Sequence, residues 1–178
     1  VVHNNHSLVK DSMTHIRSPK NLKTIEIKIH ESDDMTDSVN YFDTVGIMGD
    51  MYQSHCVRLF ATILAKHFGE SRKKILKELS LVKPEIMQLA RKRASEGTAP
   101  TECKIQMSYS GVVLFAYLHK MVHREKDTLM NDNIKWEMDY GVCAYENVLR
   151  NIDAGNTLQF LDEEEVEYLW DHASIISC

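Results

Sequence analysis

Turn-forming residues are scarce in this chain: its 178 residues include only 7 Gly and 3 Pro. An all-β architecture built on tight turns is therefore not expected. The four cysteines stand at 56, 103, 143 and 178, none in CxxC spacing, so a disulfide scaffold is not indicated and a reducing compartment fits. No glycine-rich phosphate loop, GxSxG elbow or Cys-His pair at a familiar spacing occurs, so no enzymatic activity and no cofactor are expected. Large excess charge is missing too. A formal net charge of -5 argues against a dedicated nucleic-acid binder. No apolar run reaches the ~20 residues of a membrane span. The N-terminus VVHNNHS has neither a starting Met nor a signal-peptide core, as expected of a processed piece. These features predict a cytoplasmic protein with a single domain, residues 1–178.

What is present is hydrophobic periodicity. Residues are 43% hydrophobic and 26% charged, a globular balance. The most continuously apolar stretch is Met107 to Val122, MSYSGVVLFAYLHKMV, with Val112, Val113, Phe115, Leu118, Met121 and Val122 spread all round a helical projection. Such a segment is expected to be a buried central helix, capped by Ser108 and closed by His119, Lys120, His123 and Arg124. Further helices are expected over residues 5–17, Ser38–Gln53, Cys56–Phe68 with Gly69 as its cap, Ser71–Leu81, Pro84–Ser95, Ile134–Leu149 and Thr157–Trp170. The segment 18–38 reads as a connecting loop. Inside it Thr24-Ile25-Glu26-Ile27-Lys28-Ile29 alternates strictly, which signals a short strand or an extended piece of loop. The fold class predicted is all-α, a helical bundle around 107–122 with that short strand at 24–29.

Candidate chemistry is thin. His119 and His123 lie four apart on the expected helix, but Lys120 stands where a zinc protease motif places its Glu, so no metal site is assigned. The acidic run Asp162–Glu165 and the basic residues Arg72 to Lys77 and Arg91 to Arg93 read as solvated faces.

Tyr41, Val45, Met48 and Tyr52 recur at i, i+4, i+7 and i+11, with Gly49 and Asp50 between the last two. This pattern resembles the third homology motif (BH3) of the Bcl-2 family. Asn5 to Met13 resembles that family's first-helix motif. Ser108 to Val113 stands where the family carries Asn-Trp-Gly-Arg-Ile-Val, and Asn151 to Gly155 is similar to its Ile-Gln-Asp-Asn-Gly-Gly stretch. The resemblance implies a non-enzymatic regulator of apoptosis, more pro-survival than pro-death. Its partners would be BH3-containing pro-apoptotic proteins, with a homodimer as a further arrangement and no nucleic acid. It would reach the mitochondrial outer membrane only through a segment outside this chain. The implied groove is lined by Phe60, Ile63, Leu64, Leu89, Tyr109, Gly111, Val112 and Phe115. Gly111 replaces the family's groove Arg, leaving Arg91, Arg93 or Lys104 to meet a ligand's Asp. The alternative is a helical scaffold or adaptor, or a viral host-interaction protein of similar bundle fold, without apoptotic activity.

Overall fold

The computed structural model describes residues 22–31, 39–91, 98–120, 128–131, 134–137, 152–155 and 160–175. Along the chain run β1 (Thr24–Glu31), α1 (Val39–Ile47), a π-helix (Met48–Val57), α2 (Arg58–Phe68), α3 (Arg72–Leu79), β2 (Glu85–Ala90), β3 (Glu102–Tyr109), β4 (Val112–Lys120), β5 (Thr128–Asn131), β6 (Ile134–Glu137) and α4 (Glu163–Ser174). The strands form one mixed sheet in the order β2-β3-β4-β1-β5-β6. β1 runs parallel to β4; every other neighbouring pair is antiparallel.

Side-chain alternation explains where the core sits. Ile25, Ile27 and Ile29 of β1 are buried, as are Cys103, Ile105 and Met107 of β3 and Val112, Leu114, Ala116 and Leu118 of β4. They share one core with Phe42 of α1, Met51 and Tyr52 of the π-helix, Phe60 and Leu64 of α2, and Ile75 and Leu79 of α3. Each fully buried aliphatic or aromatic side chain contributes roughly 1.5–3 kcal/mol. The intervening residues, such as Glu26, Lys28, Phe115 and Tyr117, lie on the opposite face and are only partly covered.

The all-α expectation is overturned, and with it the central helix. Met107 to Lys120 is the end of one strand, a two-residue turn and a second strand. Ser110 (φ 48°) and Gly111 (φ 83°) supply the two positive φ angles that a tight hairpin turn requires. Tyr109 pairs with Val112 directly across it. The helix expected from Pro84 is instead the edge strand β2, and Ile134, expected to start a helix, starts β6. The expected helices at 5–17 and 138–149 lie outside the described residues. The strand signal at 24–29 is a strand, extended to Glu31. It sits between β4, which pairs along its whole length, and β5, which pairs with Ile25 to Lys28.

Three expected helices are present: α2, α3 and, for the helix expected over Thr157–Trp170, α4, which opens at Glu163 after its Asp162 cap. α2 ends on Gly69 in the left-handed conformation (φ 70°, ψ 28°), and α3 begins with Ser71 accepting from the Lys74 amide. The stretch expected as one helix over Ser38–Gln53 is divided. Gly46 adopts φ 66°, ψ 173°, a region open essentially to glycine alone, and the backbone passes into the π-helix just beyond it. Gly46→Ala is expected to destabilise the fold by about 1–3 kcal/mol, read as a lower urea midpoint with unchanged slope. At Gly49 a Cβ would collide with Val45 Cγ1 and stand 3.5 Å from Trp170 on α4, so this glycine serves close packing. No described helix is long and apolar enough to cross a membrane.

Candidate functional site

The inward-facing residues of β1 and β4 end in charge. The series Ile25, Ile27, Ile29 is followed by Glu31; the series Val112, Leu114, Ala116, Leu118 is followed by Lys120. Because the two strands are parallel and in register, Glu31 and Lys120 are direct partners at their carboxyl ends. That end of a parallel pair is where ligands bind in open α/β sheets. Lys120 Nζ donates to Glu31 Oε2 at 2.7 Å and to Asp50 Oδ2 at 2.6 Å. Its ammonium also stands 5.3 Å from the centre of the Phe42 ring. His55 Nε2 lies 3.2 Å from Glu31 Oε1. One cation, two carboxylates and an imidazole thus form a continuous chain.

Asp50 and His55 both belong to the π-helix, and that geometry matters. In an α-helix, at about 100° per residue, residues five apart point about 140° away from each other; i→i+5 bonding widens the turn and brings them much closer to one side. Lengthened turns of this kind gather at functional sites. The helix is anchored from below by Tyr52, whose hydroxyl donates to Met107 Sδ at 3.4 Å and lies 3.2 Å from His172 Nε2 of α4. Burial raises the Tyr52 phenol well above its usual range and pushes the His172 imidazole down to about 4. At neutral pH both are uncharged, an anchor that does not titrate.

The charged groups above it behave otherwise. Burial pushes the Glu31 carboxyl up, but hydrogen bonds from His55 and Lys120, with their charges, outweigh it and bring it down to about 2. Burial works against the Lys120 ammonium, yet hydrogen bonds to Asp50 and Glu31 more than offset it and raise its pKa. Lys120 therefore stays charged, and Glu31 stays ionised, throughout the physiological range. His55 is the imidazole of this chain of groups. Its side chain is 37% exposed, so it is open to a solute.

The expected partner groove does not assemble in this form. Phe60, Ile63 and Leu64 are buried in α2. Leu89 is half-exposed on the edge strand β2, and Gly111 is in the hairpin turn. Val112 faces the helices whereas Phe115 faces the other side of the sheet. Tyr109 is buried and donates to Glu78. Of the BH3-like residues, Tyr41 is exposed, Val45 is half-buried, and Met48, Gly49 and Tyr52 are buried in the π-helix; Asp50 does meet a cation, Lys120. Arg91 and Lys104 stand elsewhere, Lys104 over the Tyr117 ring, and Arg93 is outside the described residues. His119 stacks on His30 at 4.9 Å, while His123 is outside the described residues. Among the described residues no group of His, Cys, Asp and Glu is arranged to hold a metal. Glu31 and His55 escaped sequence reading. The usable signal was the charge that ends each inward-facing apolar series.

No protein-family model and no curated protein matches the sequence. Solved structures do. A glucose-6-phosphate dehydrogenase in complex with its substrate glucose-6-phosphate superimposes with a TM-score of 0.62 at 13% identity, over 97% of this chain and 54% of that one. Glucose-6-phosphate 1-dehydrogenase from Mycobacterium avium gives 0.61 at 12% identity, over 95% of this chain and 52% of that one. These likenesses, together with the six-stranded sheet, overturn both the resemblance to the Bcl-2 family and the expected role in apoptosis, and lend nothing to the scaffold alternative. This chain spans about half the length of the structures it matches, and it shares with those dehydrogenases an α/β fold around a mixed sheet.

Proposed function

We propose that the chain contributes the sugar-binding and proton-accepting site of a dehydrogenase acting on a phosphorylated aldose. The observation that carries this reading is the Lys120–Glu31–His55 chain, with Asp50, at the carboxyl ends of the two parallel strands. Oxidising the hydroxyl of a cyclic sugar requires removal of its O–H proton. An imidazole held by a carboxylate is suited to that task, because the carboxylate fixes the ring and stabilises the imidazolium that forms. In this role His55 takes the proton on the ring nitrogen turned away from Glu31. Asp50 and Glu31 accept hydrogen bonds from sugar hydroxyls, and Lys120 donates to sugar oxygens. The class of substrate is taken from the neighbouring structures, one of which holds glucose-6-phosphate.

Such an oxidation also needs a hydride acceptor. The described residues do not fit one: Gly46, Gly69, Gly111 and Gly155, the glycines with positive φ, stand apart at a helix break, a helix end and two turns and form no phosphate cradle. The part assigned to this chain is therefore the handling of the proton and the sugar.

Calorimetric titration with glucose 6-phosphate, glucose and inorganic phosphate tests the binding. The phosphorylated sugar is expected to bind, and His55→Gln to retain that binding. Removal of the C1 hydroxyl proton is read without a hydride acceptor as accelerated exchange between the α and β anomers of glucose 6-phosphate, an acceleration that His55→Gln is expected to abolish. Absence of binding at tens of millimolar, or unchanged anomer exchange in His55→Gln, would overturn the proposal.

A further inference from the structure

Lys120 is the last residue of β4, one step past the final β3–β4 pair, Glu102 with His119. Its backbone is held instead by the segment that leads into β3: the Lys120 amide donates to the Thr101 carbonyl at 2.8 Å. Thr101 is fully buried, and its own amide donates to the Ala90 carbonyl at 2.9 Å. Three residues earlier the segment is tied to α1. Asp43 Oδ1 accepts from the Thr98 amide at 2.7 Å and from the Ala99 amide at 2.8 Å, and Oδ2 also lies 2.8 Å from the Thr98 amide. These two amides, Ala99 first, hold the Asp43 carboxyl below its usual range, aided by the charge of Arg91.

The residue before Asp43 is Phe42, whose ring lies beneath the Lys120 ammonium. Consecutive residues of α1 therefore grip Lys120 from two directions. Phe42 touches its head directly, and Asp43 reaches its backbone through a strap of four residues, Thr98 to Thr101. We propose that Asp43 is a positioning residue for the candidate site, clamping the 98–101 strap so that the Lys120 ammonium is held between Glu31 and Asp50.

The clamp makes physical sense of an otherwise isolated carboxylate. At Lys120 the ladder to β3 has ended while the pairing with β1 reaches its last residue, and a strand end with one neighbour frays more readily than a strand centre. A long lysine side chain placed there would sample many rotamers. Fixing the strap removes the backbone part of that freedom, and the Phe42 ring limits the rest. Asp43 itself touches neither Lys120 nor any other member of the charged chain in the described contacts, so its influence runs through the backbone.

The inference rests on the proposed function for its consequence in sugar binding, but not for its geometry, and two readouts separate them. The first is the Glu31 carboxyl titration followed by carbon-13 NMR, together with hydrogen exchange at the Lys120 amide. Both report where Lys120 sits, whether or not a sugar binds. Asp43→Ala is expected to raise the Glu31 pKa by about one unit or more and to speed exchange at Lys120 at least tenfold. Asp43→Asn keeps an acceptor for the strap amides and is expected to restore most of both. The second readout is glucose 6-phosphate titration, expected to weaken about tenfold in Asp43→Ala. Unchanged Glu31 titration and unchanged Lys120 exchange in folded Asp43→Ala would overturn the positioning role. Both changes without any sugar-phosphate binding, in wild type or variant, would uphold it and sink the function instead. If Asp43→Ala does not fold, Thr98→Pro removes one donor, leaves the carboxylate, and is judged by the same two results.

Discussion

Lys120→Met is expected to destabilise the protein by about 2–4 kcal/mol at pH 7 and to abolish sugar-phosphate binding. The side chain is 10% exposed, and it alone separates the carboxylates of Glu31 and Asp50, which are 26% and 21% exposed. Methionine fills most of the volume and keeps the contact with Phe42, so lost packing is a minor part of the effect. What remains is two like charges beside one imidazole. The figure is below the full penalty for breaking a buried pair, because water still reaches both carboxylates. The effect depends on pH. Glu31 has a folded pKa of about 2 against an ordinary 4.5, so its share of stability is complete above about 4.5 and is lost as pH falls toward 2. In the variant the share of that depression due to Lys120 is gone, while the hydrogen bond from His55 remains, and protonation relieves repulsion. The difference between wild type and variant should therefore shrink as pH falls through this window. Urea midpoints at pH 7, 5 and 3.5 measure it; a difference that stays constant would assign the loss to packing. Lys120→Arg is not expected to rescue, since a planar guanidinium cannot place a compact charge between both carboxylates over Phe42.

How much of this was legible in the sequence varies with the kind of signal. The alternation of Thr24 to Ile29 gave β1, and Gly69 and Ser71 marked the boundary of α2 and α3, because caps and alternation are local. The stretch 107–122 misled for a physical reason. Both faces of β4 are partly covered, so Val113, Phe115 and Tyr117 are apolar as well as Val112, Leu114 and Ala116, and a period of two vanishes into an apolar run. Only Ser110-Gly111, a two-residue turn signal inside that run, argued for a hairpin. The BH3-like stripe failed similarly. Its i, i+4, i+7, i+11 spacing assumes one regular α-helix, whereas Gly46 breaks the backbone and the π-helix changes the angular step. The site was the least legible part. Glu31, Asp50, His55 and Lys120 come from a strand end, a π-helix and a second strand end, and no linear spacing links them. Asp50 was singled out for its place beside Gly49, and its true partner lies 70 residues away.

Arg72→Met carries the other large expected effect, about 3 kcal/mol, and it reads the attachment of α4. Arg72 holds Glu165 through two parallel bonds, Nε to Oε1 at 2.7 Å and Nη2 to Oε2 at 2.8 Å, and Nη2 also donates to the Phe160 carbonyl at 2.9 Å. The side chains are 17% and 6% exposed, so the pair is largely removed from water. Glu165, the third residue of α4, at the same time closes the capping box that Asp162 opens. Removing the guanidinium leaves a buried carboxylate tied only to the helix start. A second guanidinium lies in the same region. Arg58 is buried, its Nε and Nη2 make no hydrogen bond among the described residues, and burial with the charge of Arg72, partly offset by Glu165, pushes its pKa down to about 9. In the wild type Arg58 is a buried cation lacking full compensation, so Arg58→Met is expected to be neutral or stabilising. Once Arg72 is gone, Arg58 is the cation remaining for Glu165, and the same substitution should destabilise. A double-mutant cycle on Arg58 and Arg72, read by urea denaturation, is thus expected to reverse the sign of Arg58→Met between the two backgrounds. Additive effects would mean that Arg58 and Glu165 do not sense each other, and that α4 is held by Arg72 alone.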